Sequence, residues 1–172
     1  MTRAGSRRAT AFSLGLVAVT LAPAAGAFER EWHLGGGLGA ALAPALPLGP
    51  ALNLYAAYGL TDAFDVRLEL STSLHDRAKE VDSFYSAKGV FAYKIDVIQW
   101  IPWIGLSGGA LGSGQGKWPF ESVQPTAGAI AGLDYAWTRN FGVGLCLSTD
   151  YGFHEAAWYG AGFLRAEYHF GW

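Results

Sequence analysis

The stretch WYGAGFLRAEYHFGW, residues Trp158–Trp172, decides the fold class of this chain. From Leu164 onwards, apolar side chains occupy the even-numbered positions. They are Leu164, Ala166, Tyr168, Phe170 and Trp172, and Arg165, Glu167 and His169 lie between them. A period of two residues, with charged groups on one face and apolar groups on the other, indicates a β-strand between two unlike environments. This predicted strand runs to the last residue of the sequence and ends on an aromatic side chain.

The beginning of the chain has the pattern of a secretory signal peptide. Three arginines within the first eight residues precede an uncharged, mostly apolar run from Ala11 to Leu21, and Ala25-Gly26-Ala27 provides a cleavage site of small residues. The apolar run is shorter than the roughly 20 residues of a membrane-spanning helix, which disfavours a transmembrane anchor. We therefore predict a signal peptide over residues 1–27, cleaved after Ala27, and a single domain over residues 28–172.

The composition excludes some classes of partner and favours a membrane environment. Without residues 1–27, the chain has 9 Lys plus Arg against 14 Asp plus Glu, so no basic surface suggests nucleic-acid binding. The content of 51% hydrophobic and 15% aromatic residues is high, yet the predicted domain has no charge-free stretch long enough for a membrane helix. Such a composition suits short strands with one face in lipid. The single Cys146 cannot form an internal disulfide, and we expect it to be a small residue packed inside.

Residues 28–172 have room for eight membrane-spanning strands of about 9–11 residues with their turns. The predicted strands are Trp32–Leu42, Ala51–Leu60, Ala63–Leu74, Ser83–Val97, Ile101–Leu111, Thr126–Trp137, Phe141–Phe153 and Trp158–Trp172. The connections after strands 2, 4 and 6 are tight. Those after strands 1, 3 and 5 are longer and cover 44–50, 75–82 and 112–125. Short periplasmic turns and longer outer loops are typical of bacterial barrels, and both termini are then periplasmic.

Alternation within the strands is the second argument for the fold. In the third strand, Phe64, Val66, Leu68 and Leu70 alternate with Asp65, Arg67 and Glu69. A soluble sandwich has the same period because one strand face packs on a core. Here the apolar faces of nearly all strands end in tryptophan or tyrosine, which favours lipid over water. We predict an all-β fold, an eight-stranded antiparallel up-and-down transmembrane β-barrel.

Aromatic residues collect at the ends of the predicted strands. Trp32, Trp100, Trp103, Trp137 and Trp172 fall on the periplasmic side, and Trp158, Tyr85, Phe84 and Tyr151 fall near the opposite rim. Amphipathic rings prefer the level of the lipid headgroups, so we predict two girdles. The predicted girdle tryptophans include Trp32, Trp100, Trp103, Trp137 and Trp158.

The charged faces of the strands point into the predicted lumen. The predicted lumen charge network consists of Glu31, His33, Asp65, Arg67, Glu69, Lys88, Lys94, Asp96, Asp134, Asp150, Arg165, Glu167 and His169. An eight-stranded barrel is just wide enough for side chains to fill it. Buried charges persist when they are paired and hydrogen-bonded, so we expect ion pairs to fill the lumen.

Other interpretations of the same residues stay open at this point. Glu31, His33, Glu167 and His169 have the side chains of a metal site, and the two histidines would also suit a proton-responsive gate. No spacing specifies either, so we predict no metal, cofactor or catalytic residue. Two partial Ser-His-Asp sets, Ser73/His75/Asp76 and Ser148/Asp150/His154, stand near the outer rim. Ser73 and His75 lie on one strand face instead of meeting across strands, so we do not expect an enzyme.

On the alternating pattern and the terminal aromatic strand, the chain resembles the small eight-stranded outer-membrane barrels of the OmpA transmembrane domain, OmpX and OmpW type. The resemblance covers nearly all of residues 28–172 and rests on pattern without a local motif. It implies an integral outer-membrane protein, in contact with lipid, that supports the envelope or presents loops to an unidentified surface ligand. In the OmpW case it implies a narrow path for small hydrophobic molecules. It also implies that the barrel assembly machinery recognises Tyr168, Phe170 and Trp172. The short outer loops disfavour the protruding strands of OmpX.

We expect deletion of Phe170–Trp172 to impair membrane assembly far more than the loss of three residues suggests, because the resemblance makes them the assembly signal. The fraction of chain recovered folded in outer membranes measures this effect. The substitution Trp172→Phe, which keeps an aromatic terminus, is the control. Normal assembly of the deleted chain would contradict the prediction.

Overall fold

The computed structural model describes residues 30–77, 80–95, 99–114 and 122–170. The predicted signal peptide, Asp96 and Trp172 lie outside these residues. Eight strands follow one another: β1 Trp32–Leu42, β2 Gly49–Gly59, β3 Phe64–Arg77, β4 Glu80–Lys94, β5 Trp100–Gly114, β6 Ser122–Thr138, β7 Phe141–Gly152 and β8 Ala157–Phe170. Among the described residues, no helix is long and apolar enough to cross a membrane.

Each strand pairs antiparallel with its neighbours in sequence, and the first strand pairs with the last. The ladder between β1 and β8 runs from Trp32 opposite Phe170 to Leu42 opposite Gly160. This pairing closes the sheet into a barrel in the order β1 to β8 and leaves no free strand edge along the seam. The predicted all-β, eight-stranded antiparallel barrel is confirmed. We call the end where β1 begins and β8 ends the inner end, and the opposite end the outer end.

Side chains are distributed inside out relative to a water-soluble protein. Leu106 on β5 is 72% exposed and Leu147 on β7 is 71% exposed, whereas the carboxylate-bearing Asp65 on β3 is 0% exposed. The period of two produces this division, because successive side chains of a strand leave opposite faces of the sheet. An apolar outer surface around a polar interior is the distribution that a barrel in lipid needs.

Two outer connections are much shorter than the sequence predicts. The predicted charged loop 75–82 is wrong: β3 continues to Arg77, β4 begins at Glu80, and His75 pairs with Asp82 within the ladder. The predicted loop 112–125 is also too long, because β5 reaches Gly114 and β6 begins at Ser122. Charged and small residues can extend a hairpin because their backbone groups bond across the ladder whatever side chains they carry. The strands β3 to β6 are thus longer than the roughly 9–11 residues of a membrane-spanning strand, which removes the ground on which protruding strands were disfavoured.

The aromatic residues divide between the two faces of the sheet. Trp32, Trp100, Trp137 and Trp158 are exposed on the outside. Trp103 is not part of a girdle, since it is only 3% exposed and lies in the lumen. The physical reason is parity: Trp100 and Trp103 are three residues apart in β5, so they leave opposite faces of the strand. Phe84 and Tyr85 are successive residues of β4, so they also leave opposite faces of the strand. Phe84 packs inside against His75 and Tyr159.

We expect the folded protein to resist unfolding by detergent and to migrate faster on a gel when it is not boiled. A closed barrel satisfies its backbone hydrogen bonds internally, so the chain stays compact where water is absent. Gel mobility before and after boiling measures this compactness. Equal mobility of the two samples would contradict a closed barrel.

Candidate functional site

The lumen holds nearly all the charged groups that the sequence places there. The described residues of the predicted network with buried side chains are Glu31, His33, Asp65, Arg67, Glu69, Lys88, Lys94, Asp134, Arg165, Glu167 and His169. The side chain of Asp150 is 14% exposed. All of them leave the inward face of their strand, which follows from the period of two. The structure separates them into a large group at the inner end and a smaller group towards the outer end.

The first part of the inner group is centred on the carboxylate of Asp65. Arg67 donates two hydrogen bonds to Asp65, from Nε to Oδ1 and from Nη2 to Oδ2, both at 2.9 Å. The Nζ atom of Lys94 on β4 lies 3.3 Å from Asp65 Oδ2. A bidentate guanidinium–carboxylate pair is among the strongest charge-assisted contacts, and it fixes the plane of the Arg67 side chain.

The second part is centred on Arg165 and Glu167 of β8. Arg165 Nη2 donates to Glu167 Oε2 at 3.2 Å, and Arg165 Nε lies 3.5 Å from Asp134 Oδ1 on β6. The Tyr55 hydroxyl on β2 donates to Glu167 Oε2 at 2.8 Å. His169 Nε2 lies 3.0 Å from Glu167 Oε1. Glu167 therefore links β8 to β2, the two strands that flank β1.

Trp103 joins the two parts. The Arg67 guanidinium carbon lies 3.8 Å from the centroid of the Trp103 ring, and the Arg165 guanidinium carbon lies 4.9 Å from it. The same Arg165 carbon lies 4.2 Å from the Tyr55 ring centroid. Aromatic faces attract cations, and more strongly where water is excluded. We call Tyr55, Asp65, Arg67, Lys94, Trp103, Asp134, Arg165 and Glu167 the inner plug.

Tyr55 and Trp103 also lie in the lumen, where the sequence did not predict them, although it contains a signal for each. Tyr55 lies directly opposite Gly35 in the β1–β2 ladder, and Trp103 lies directly opposite Gly132 in the β5–β6 ladder. A Cβ atom added at either glycine would overlap the facing aromatic ring. Each ring therefore lies across a glycine of the neighbouring strand, a known way to fit large rings on a sheet. A glycine alone does not indicate which ring will cover it.

An apolar layer lies next to the inner plug inside the barrel. Buried small and aliphatic side chains pack together there, among them Ala51, Val90, Ile130, Cys146 and Phe163. Further towards the outer end, Lys88 Nζ lies 2.8 Å from Asp150 Oδ2, and Ser107 donates to Asp150 Oδ1 at 2.8 Å. The free thiol of Cys146 lies buried inside, where the sequence placed it.

The two partial Ser-His-Asp sets do not assemble into triads. Ser73 Oγ lies 3.0 Å from His75 Nε2, but His75 Nδ1 lies 2.8 Å from the backbone oxygen of Pro47 instead of a carboxylate. Asp76 is exposed on the outer face of the strand. In the other set, Asp150 contacts Lys88 and Ser107, and His154 is exposed in the turn between β7 and β8. Neither set therefore lines up a serine, a histidine and a carboxylate in a relay.

We expect Gly132→Ala to destabilise the folded barrel by about 1–3 kcal/mol, because the new methyl group overlaps the Trp103 indole in a filled interior. Thermal unfolding followed by gel mobility measures the change, and a shift in tryptophan emission reports the displaced ring. Gly108→Ala is the matched control: the Cβ there has no neighbour closer than 3.9 Å. Equal stability of the two variants would contradict the packing of Trp103 over Gly132.

Comparison with known proteins gives the fold independent support. No protein-family model matches the chain, and no curated protein sequence is recognisably similar to it. Neisserial surface protein A superposes with a TM-score of 0.67 at 14% identity, over 80% of this chain and 95% of that chain. The outer membrane protein OprG from Pseudomonas aeruginosa superposes with a TM-score of 0.64 at 9% identity, over 86% and 99% of the two chains. Ail, the attachment invasion locus protein of Yersinia pestis, reaches a TM-score of 0.56 at 15% identity, over 83% and 99%.

At these identities the likeness concerns the backbone fold. The resemblance to small outer-membrane barrels that the terminal strand suggests is confirmed at that level: this chain has the fold of the small eight-stranded outer-membrane β-barrels.

Proposed function

We propose that the protein is an integral outer-membrane β-barrel whose lumen is closed to ions by the inner plug. Its function is then structural support of the envelope or interaction at the cell surface, not conduction. The apolar outer surface, with Leu106 and Leu147 among its most exposed residues, supports lipid contact. The distribution of exposed tryptophans supports interfacial girdles made by Trp32, Trp100, Trp137 and Trp158.

The observation that carries the proposal is that the plug spans the lumen from several sides. Arg165 reaches from β8 to Tyr55 on β2, Trp103 on β5 and Asp134 on β6. Arg67 reaches from β3 to the same Trp103 ring. Eight strands enclose an interior that side chains fill, so rings and guanidinium groups that meet in the middle occupy the ion path.

The energetics favour a plug that stays in place. Arg165 and Glu167 have side-chain exposures of 2% and 8%. Removing one partner of such a buried pair leaves an uncompensated charge, at a cost of about 3–5 kcal/mol. Motion of a plug residue breaks the same contacts, so an open lumen is disfavoured. The apolar layer adjoining the plug adds further packed side chains to the lumen.

Three further features bear on what the barrel can do. The seam between β1 and β8 is paired from Trp32 to Leu42, which supports a wall without a lateral opening there. A small interior cavity of about 50 Å³ lies towards the outer end, against Ser73, Lys88 and Asp150. The extended β3–β4 and β5–β6 hairpins at the outer end support a role in surface contact.

Planar-bilayer recording tests the closed lumen. We expect the wild-type protein to give no stable unitary steps, and the double variant Arg165→Ala/Glu167→Ala to give them, because it removes both halves of a central pair. Leu164→Ala, on the outer face next to Arg165, is the matched control and should stay silent. Gel mobility before boiling checks that each variant is folded.

Stable unitary steps from the wild-type protein would contradict the proposal and favour a narrow conduit for small solutes. The wild-type measurement decides this point even if the double variant fails to fold.

A further inference from the structure

Four side chains with metal-binding chemistry meet at the inner end, at the seam between β1 and β8. His33 on β1 lies directly opposite His169 on β8, and Gly35 lies directly opposite Glu167. Glu31 lies one residue before β1 on the same inward-facing parity. All four are at least nine-tenths buried, with exposures of 5% for Glu31, 4% for His33, 7% for Glu167 and 3% for His169.

The potential ligand atoms of three of these residues are close enough to share an ion. One carboxylate oxygen of Glu31 and one ring nitrogen each of His33 and His169 lie within 4.8 Å of one another. The fourth residue adjoins them: Glu167 Oε1 lies 3.0 Å from His169 Nε2, and Glu167 Oε2 lies 3.9 Å from His33 Nδ1. Imidazole nitrogen and carboxylate oxygen together form a ligand set suited to Zn²⁺ and similar ions.

The backbone that presents these side chains is held on both sides. The His169 amide donates to the Asn140 backbone oxygen at 2.9 Å, and Asn140 Nδ2 donates to the His169 backbone oxygen at 3.1 Å. The Gly59 amide donates to the Glu31 backbone oxygen at 2.9 Å. The β1–β8 ladder fixes the relative positions of His33 and His169. A scaffold of this kind lets an ion bind without ordering a loop, which lowers the cost of binding.

We propose that Glu31, His33 and His169 bind a divalent transition-metal ion, with Zn²⁺ as the representative, and that Glu167 either completes the site or orients His169. Ion pairing explains the contacts of Glu167 with Arg165 and Tyr55. Glu167 also pairs with His33 and His169, and both imidazoles then lie within 4.8 Å of the Glu31 carboxylate. A metal ion gives all of them a common partner.

Binding requires a small rearrangement of side chains. The His33 and His169 rings stack with centroids 4.1 Å apart and planes 24° apart. A metal ion lies near the plane of each ligating ring, so at least one ring turns about its side-chain bonds. Zn–N distances of about 2.0–2.1 Å place tetrahedral ligand atoms about 3.3 Å from one another. Side-chain rotation covers the difference from 4.8 Å without backbone movement.

An ion at this point would tie together the two strands that close the barrel. His33 and Glu31 belong to the start of the barrel, and His169 and Glu167 to its end. The metal would thus act as a clamp on the seam, and it would stabilise the folded state in proportion to its occupancy. Glu167 belongs to both the inner plug and this site, but zinc binding needs no opening of the plug, so the zinc test and the conduction test can fail independently.

Zinc titration of the folded full-length protein tests the site. Protein in detergent is first freed of metal with EDTA, which is then removed, and ZnCl₂ is added during calorimetry. We expect saturation near one Zn²⁺ per chain and a higher unfolding temperature with zinc present. The double variant His33→Asn/His169→Asn should bind at least about tenfold more weakly. His154→Ala, which removes an exposed histidine from a turn, is the matched control and should bind as the wild type does.

Co²⁺ gives a second readout that does not depend on stability. A site with imidazole and carboxylate ligands should produce a visible absorption band in the wild type that the double variant lacks. If the double variant fails to fold, Glu31→Gln, which keeps the size of the side chain, should weaken the band and the affinity. Absence of saturable zinc binding by the wild type would overturn the proposal. So would unchanged affinity in the double variant or Glu31→Gln, or loss of binding in His154→Ala.

Discussion

A chain surrounded by hydrocarbon has to satisfy its own backbone hydrogen bonds, and here the requirement is met when β8 pairs with β1. That ladder extends over the whole of β1, from Trp32 to Leu42. Without it, two strand edges would be left exposed in lipid. All other features of the molecule depend on the closure, because it creates an inside for charged groups and an outside for apolar ones. It also brings the first and last strands of the barrel, far apart in sequence, into contact.

Closure at eight strands imposes a second constraint, which is lack of space. The lumen accommodates two large rings only because Gly35 and Gly132 face them across the ladder. The guanidinium groups of Arg67 and Arg165 then pack on Trp103, and carboxylates from β3, β6 and β8 neutralise them. The side chains of the inner plug thus fill the lumen and neutralise one another's charges. The charges are kept from water, and the rings that separate them also fill the lumen.

Sequence-based prediction succeeded where one strand face meets lipid and failed at the outer end. In β1 the predicted bounds coincide with the observed strand, because the proline-rich connection that follows marks its end even though three glycines weaken its alternation. In β3 and β4 the charged residues around His75 suggested a loop, yet the ladder continues through them. Where a strand is not in contact with lipid, both of its faces can be polar. The alternation of apolar and polar residues that identifies a strand in the sequence is then lost. The prediction that Trp103 belongs to a girdle is wrong for another reason. It relied on the position of Trp103 near a strand end, whereas the odd or even position of a residue along the strand sets the face of the sheet on which its side chain lies.

The face that each strand turns inward can be read from the sequence, since alternation follows from backbone geometry that every residue shares. The same alternation shows that acids and bases are buried together and therefore need partners. The identity of those partners depends on the closed barrel. Arg165 meets Tyr55, Trp103 and Asp134 because the tilt and stagger of eight closed strands bring those positions to one level. Contacts across a lumen have no fixed separation in sequence, so no local pattern can encode them.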